Sequence, residues 1–199
     1  MQLLETIRYE NGRFSNLGLH QERMNRSRTM LLGQQDTIVL QPDSLVSTRP
    51  DPGQKGLYKC RIIYDDRIRS IEFVPYVIPV IRTLQLVFHD EISYDHKYLD
   101  RQLINRLYDE RREADDILIV RKGLVTDTSF ANIVCYNGKE WITPVHPLLK
   151  GVQRTRLLNE ERISTAEIRT SDLRYFSRIR LVNAMMRFED EVDVVSVFE

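Results

Sequence analysis

Lys97, in the stretch Tyr94-Asp95-His96-Lys97-Tyr98-Leu99-Asp100-Arg101, points most directly to chemistry. A lysine amine attacks a carbonyl only when neutral, and burial or neighbouring cations move its pKa that way. The chain has six lysines. Lys55, Lys122, Lys139 and Lys150 fall in turn- or loop-like sequence, and Lys59 lies inside a strand pattern. Lys97 alone stands between a strand-like run and an apolar-faced helix pattern, where a side chain can point into a cleft. On local pattern by itself the plainer reading is a solvated lysine at a helix start, because lysine is seldom buried without a partner.

Four further pieces carry groups of the right type. Asp127-Thr128-Ser129-Phe130-Ala131-Asn132 offers a carboxylate and an amide five positions apart. Asp127 there is either a site carboxylate or the former of a local side-chain-to-backbone turn. Leu149-Lys150-Gly151-Val152-Gln153-Arg154 precedes an apolar helix pattern containing Leu157 and Leu158. A helix start of that kind presents backbone N–H groups and a favourable dipole to an anion, and Gly151 permits close approach. Asn183-Ala184-Met185 follows near the end of the chain, and Arg23 lies in Leu19-His20-Gln21-Glu22-Arg23-Met24.

Taken in order, these pieces resemble the fold type IV pyridoxal-phosphate enzymes. That family holds branched-chain and D-amino-acid aminotransferases and 4-amino-4-deoxychorismate lyase. The resemblance runs from Glu5-Thr6-Ile7-Arg8 to about Arg187 and implies pyridoxal 5'-phosphate as cofactor. It makes Lys97 the Schiff-base lysine and the proton carrier of catalysis. Asp127 falls where the family places a glutamate facing the pyridine nitrogen, with the spacing to Asn132 kept. Gly151, Val152 and Gln153 match the phosphate-binding Gly-Val/Ile-Thr-Arg element, with Gln153 in place of threonine. Arg23 matches the arginine of the family's His-x-x-Arg element, which pairs with the phosphate. Asn183 and Ala184 match the Asn-Ala-Leu that lines the phosphate site in the lyase branch, and Thr143-Pro144 also fits. Arg101, at its offset from Lys97, is assigned to a substrate carboxylate. Together with Asn183-Ala184-Met185 it favours the lyase, which forms 4-aminobenzoate and pyruvate on the folate route. A branched-chain or D-amino-acid aminotransferase is the second reading. A cofactor-binding relative without catalysis is the third, motivated by Asp127 and by a chain shorter than typical members.

Around these residues the pattern predicts a strand over 2–8, a turn at Asn11-Gly12, and a helix with His20, Met24, Ser27 and Leu31 on one face. It predicts a loop over 41–56, strands over 57–64 and 67–74 joined at Asp65-Asp66, and a strand region over 77–88 limited by Pro79. A helix is expected from Leu99 to Arg112, with Leu99, Leu103, Ile104 and Leu107 inward. Strands over 116–121, 130–136 and 140–143 follow, with a turn at Asn137-Gly138. A helix from Val152, a strand over 165–170, a helix start at Ser171-Asp172 and a last apolar strand over 179–188 complete the chain. The expected fold class is α+β, of the D-amino-acid aminotransferase type. It comprises a small α+β domain over 1–90 and a β-barrel-like cofactor-binding domain over 91–199. The family implies the cofactor in the cleft between them and a homodimer.

Composition sets outer limits. The 199 residues are 42% hydrophobic and 29% charged, which suits a globular protein with a real core. No apolar run of about 18 residues predicts a membrane span, and the N-terminus does not read as a secretory signal. The formal net charge is zero, against the basic excess of a general nucleic-acid binder. Cys60 and Cys135 read as two buried free thiols, with a disulfide between them as the alternative, and no Cys/His cluster has zinc spacing. A cytoplasmic location is the default. The basic residues are 23 arginines against 6 lysines, a surplus that fits the carboxylates of the small amino/carboxylate substrate the resemblance implies, the plainer reading being a bias of surface composition.

Overall fold

The computed structural model describes residues 1–42, 45, 50 and 55–199, so much of the loop expected over 41–56 lies outside the described residues. The chain forms two units, one of residues 1–78 and 96–100, the other of 79–95 and 101–199.

The first unit is built on an antiparallel sheet in the order β2-β1-β3-β4. Strand β1 is Leu3–Glu10, β2 Arg13–Phe14, β3 Leu57–Tyr64 and β4 Ile68–Pro75. Asn11 (φ 50°) and Gly12 (φ 80°) make the two-residue turn between β1 and β2, where positive φ at both positions matches the twist of the strands. Leu3, Glu5, Ile7 and Tyr9 alternate onto one face of β1. Opposite them in register stand Tyr64, Ile62, Cys60 and Tyr58. Helix α1, Leu17–Leu32, buries His20, Arg23, Met24, Ser27 and Arg28. Met24 joins Leu3, Ile7, Cys60, Ile62 and Tyr64 in the core, with Leu31 packed beside it.

Residues 96–100 return to this unit. The N–H of Leu4 donates to the Lys97 carbonyl (2.9 Å) and the N–H of Leu99 to the Gln2 carbonyl (3.0 Å). Lys97 to Leu99 are therefore extended backbone on the edge of β1, and the expected helix starts only at Gln102 (α2, Gln102–Tyr108). Leu99 lies outside it. Helical periodicity could not reveal this, because its partners, the Gln2 carbonyl and the Leu4 N–H, lie at the far end of the chain.

The second unit is a nine-stranded sheet in the order β10-β9-β8-β7-β6-β5-β13, with β11 beside β8 and β12 beside β11. Strand β5 is Thr83–Phe88, β6 Asp116–Arg121, β7 Leu124–Thr128, β8 Asn132–Tyr136, β9 Trp141–Pro144, β10 Ser164–Ala166, β11 Arg178–Val182, β12 Asp193–Val194 and β13 Ser196–Phe198. Ile117 to Val120 of β6 are fully buried, as expected for a central strand between parallel β5 and antiparallel β7. Several strands depart from expectation, β5 among them, which begins only at Thr83, so 77–82 is not strand. β7 was not foreseen, although Lys122 (φ 53°) and Gly123 (φ 75°) form its two-residue turn. β12 and β13 follow β11, so 179–188 is not the last strand. Short polar edge strands carry little periodic signal. Helix α3, Val152–Asn159, covers Val134 and Val182 with Leu157. Ser171-Asp172 falls in a 3₁₀ turn over Thr170–Tyr175.

Candidate active site

In the first unit a buried carboxylate organises the site residues. Glu5 is fully buried beneath α1. The Arg23 guanidinium donates Nε to Glu5 Oε1 (2.9 Å) and Nη2 to Oε2 (2.6 Å). His20 Nδ1 meets Oε2 at 2.6 Å. A carboxylate only accepts, so the Nδ1–H tautomer of His20 is the one that fits. Burial alone would raise the Glu5 carboxyl, but the Arg23 charge and the bonds from His20 and Arg23 outweigh it and hold it at about 2. Burial holds His20 below its ordinary value against the pull of Glu5, and the charges of Arg23 and Lys97 act the same way. His20 is thus a neutral imidazole bound to an ionised acid.

Lys97 is half-buried on this unit, and the Lys97 charge reaches His20. Its segment is tied twice: to β1 by the backbone bonds above, and to α1 through His96 Nδ1 and Ser27 Oγ (2.9 Å). Lys55, Lys122, Lys139 and Lys150 are exposed, and half-buried Lys59 lies over the Tyr76 ring at 5.5 Å.

In the second unit Asp127 and Asn132 are cross-strand partners closing the β7–β8 hairpin. The turn bonds within it come from Thr128, whose Oγ1 accepts the Ala131 N–H (3.1 Å), and not from Asp127. Asp127 Oδ1 accepts Asn132 Nδ2 (2.8 Å) and Oδ2 accepts the Leu149 N–H (2.9 Å). Burial pushes the Asp127 carboxyl up to about 6, against those bonds and the Arg154 charge. Asn132 Nδ2 also donates to the Leu149 carbonyl (2.9 Å). Gly151 is the N-cap of α3 and brings no side-chain cap. The first intrahelical bond is Thr155 N–H to the Gly151 carbonyl (2.9 Å), so the amides of Val152 and Gln153 have no acceptor inside the helix. A Cβ on Gly151 would stand 2.1 Å from Asn132 Oδ1, a space only glycine leaves open.

The same hairpin gathers two more expected residues. Arg101 Nη2 donates to the Ser129 carbonyl, and Asn183 Nδ2 donates to the Phe130 carbonyl (3.3 Å). Asn183 Oδ1 accepts the N–H groups of Met185 (2.8 Å) and Met186 (2.9 Å), so its side chain shapes the turn that carries half-buried Ala184. Arg23 and Lys97 thus belong to the first unit. Asp127, Asn132, Gly151, Val152, Gln153, Asn183, Ala184 and Arg101 belong to the second.

Two buried acids were not singled out from sequence. Glu5 enters the sequence pattern only as the start of the matching region. Its signal was a charged residue on a strand face otherwise made of Leu3, Ile7 and Tyr9. Asp116, fully buried at the start of β6, has its carboxyl raised by burial, and nothing local in the sequence marks it. Cys60 and Cys135 are both buried free thiols, pushed up to about 12 by burial.

A family described as amino-transferase class IV matches residues 80–188. An uncharacterized protein of Haemophilus influenzae Rd is 40% identical over 183 residues, covering 92% of this chain and 97% of the relative. The crystal structure of a proposed 4-amino-4-deoxychorismate lyase from Haemophilus somnus 129PT is 35% identical. It covers 94% of this chain and 97% of its own, with a TM-score of 0.87. A proposed amino-acid aminotransferase from Mesorhizobium loti superposes with a TM-score of 0.80 at 23% identity, over 98% of this chain and 99% of its own, a likeness of fold.

Proposed function

The chain belongs to the class IV aminotransferase family of fold type IV enzymes, and on that premise we propose a pyridoxal 5'-phosphate-dependent lyase that converts 4-amino-4-deoxychorismate to 4-aminobenzoate and pyruvate in folate biosynthesis. The observation that carries this reading is the 35% identity, over 94% of the chain, to a protein proposed as that lyase. The residues present suit the cofactor. An uncapped helix start with glycine at the N-cap suits a phosphate, and a buried carboxylate suits a protonated ring nitrogen.

When bound, the cofactor supplies an aldehyde for a lysine and a ring that withdraws electrons. Lys97 would be the lysine that holds it, and the Lys97 amine would take a proton from the substrate and return one as pyruvate leaves. Asp127 would serve as the carboxylate partner of the ring nitrogen. On the resemblance, Arg23 would hold the phosphate, as would the amides of Val152 and Gln153, with Gly151, Asn183 and Ala184 assigned to the same role and Asn132 orienting Asp127. Arg101, anchored on the Ser129 carbonyl, takes a substrate carboxylate.

The description of the family as aminotransferases favours a second reading, amino-group exchange between a branched-chain or D-amino acid and a keto acid. Incubation of the purified protein with 4-amino-4-deoxychorismate separates the two. Release of pyruvate and 4-aminobenzoate supports the lyase. Exchange of an amino group with a keto acid, without pyruvate release, replaces it with the aminotransferase. Neither product, with cofactor bound, leaves a non-catalytic binder. A cytoplasmic homodimer completes the proposal on the family resemblance, and light scattering of the purified protein tests the dimer.

A further inference from the structure

We propose that Asp127 and Asn132 form a clasp that positions the phosphate-binding start of α3, beyond the part Asp127 plays at the ring nitrogen. The inference rests on the cofactor reading above and deepens it.

The clasp begins in the hairpin. Asp127 and Asn132 are five residues apart and face each other in register across β7 and β8. Both side chains then reach out of the hairpin to the same residue. Asn132 Nδ2 donates to the Leu149 carbonyl (2.9 Å) while Asp127 Oδ2 accepts the Leu149 N–H (2.9 Å). The bond between the two side chains (2.8 Å) closes the arrangement. Both backbone polar groups of Leu149 are therefore held from one hairpin.

Leu149 is two residues before Gly151, and Asn132 meets that residue as well. Its Oδ1 occupies the place a Cβ would take, at 2.1 Å. Asn132 thus fixes the turn at both ends, by one hydrogen bond at Leu149 and by close contact at Gly151. The Gly151 carbonyl accepts the N–H (2.9 Å) and Oγ1 (3.0 Å) of Thr155, so any shift of Gly151 carries the first turn of α3 with it. The Val152 and Gln153 amides lie within that turn. A hydrogen-bonded group displaced by a fraction of an ångström loses geometry steeply.

The clasp also accounts for aspartate where the family carries glutamate. With Asn132 and Leu149 each within 2.9 Å of one carboxylate oxygen, another methylene would have to displace one of these contacts. The shorter acid matches the close approach of the 148–151 turn.

The test uses cofactor-free full-length protein and two probes, inorganic phosphate, which has no ring, and pyridoxal, which has no phosphate. Calorimetry measures both on wild type, Asp127→Asn, Asn132→Ala and Gly151→Ala. The clasp predicts that Asp127→Asn and Asn132→Ala weaken inorganic phosphate about tenfold or more, the loss expected for a misplaced charge-assisted bond. Hydrogen exchange at the Val152 and Gln153 amides should quicken in Asp127→Asn while β3 and β6 stay protected, which separates a moved turn from a failed fold. Unchanged phosphate affinity in Asp127→Asn with weakened pyridoxal affinity would confine Asp127 to the ring and overturn the clasp. If Gly151→Ala leaves phosphate affinity untouched, the phosphate does not bind at α3, and the site assignment beneath the clasp fails instead.

Discussion

Glu5 grips Arg23 with both carboxylate oxygens, at 2.9 Å and 2.6 Å, beneath the helix that carries the arginine. The pair is buried on both sides, with Glu5 at 0% and Arg23 at 6% exposure. An arginine locked in this way presents its guanidinium plane in one orientation, which suits bidentate recognition of a phosphate. The arrangement carries consequences for stability as well as for binding.

Removing the acid should be costly. Glu5→Gln leaves the Arg23 charge buried without its carboxylate, a loss of about 3–5 kcal/mol. The pH dependence is equally specific. The Glu5 carboxyl lies at about 2 in the folded protein against an ordinary 4.5, so its contribution is complete above about 4.5 and lost as pH falls towards 2. The difference amounts to roughly 3 kcal/mol. His20, lowered by burial, adds to stability with the same sign, because the unfolded imidazole takes up its proton first as pH falls below 6.5. Urea unfolding at pH 7, 4 and 3 should show this acid loss in wild type and a shallower one in Glu5→Gln. Parallel curves would reject the assignment.

Arg23→Ala should weaken pyridoxal 5'-phosphate by about ten- to a hundredfold, the value of a charge-assisted bond of roughly 1.5–3 kcal/mol. It also strands Glu5, so stability falls with it. The double variant Glu5→Gln/Arg23→Ala distinguishes the two effects. Stability should partly return while affinity stays low. A double variant with wild-type cofactor affinity would exclude Arg23 from the phosphate.

Lys97→Ala should abolish turnover and the visible absorbance of covalently held cofactor, leaving the fold intact because the half-buried side chain is not part of the core. Borohydride reduction of the wild-type protein, followed by peptide mapping, should find the label on Lys97. A label on Lys59 or any other lysine would refute the assignment.

Asp127 should act on stability with the opposite sign to Glu5. Its carboxyl is pushed up to about 6 from an ordinary 3.8, so the folded state holds the proton more tightly. Stability therefore falls as pH rises through that window, by roughly 3 kcal/mol. Asp127→Asn, which cannot ionise, should lack this fall, and its activity should be low because an amide does not stabilise a protonated ring. Asp127→Glu should lose about 1–3 kcal/mol through overpacking between Asn132 and Leu149. Thermal unfolding between pH 4 and pH 7 checks both, and a wild-type curve in Asp127→Asn would count against the buried acid.

Much of this protein was legible in its residues. The order Arg23, Lys97, Asp127, Gly151, Asn183 was enough to expect the fold class and cofactor family, because each motif is a local arrangement of backbone and side chain. The Asn11-Gly12 turn, α1, β3, β4 and the start of α3 at Val152 followed from periodicity and turn chemistry, which act over a few residues. Only tertiary structure decided the rest. Lys97 is extended and not helical because β1 supplies hydrogen-bond partners from the other end of its unit. Glu5 became the organiser of Arg23 and His20 because strand alternation and a helix face bury the acid, and a buried acid must find donors. Asp127 took Leu149 as partner because a hairpin and a distant turn pack together. Local preference writes the elements. Burial at long range selects which polar groups must satisfy one another.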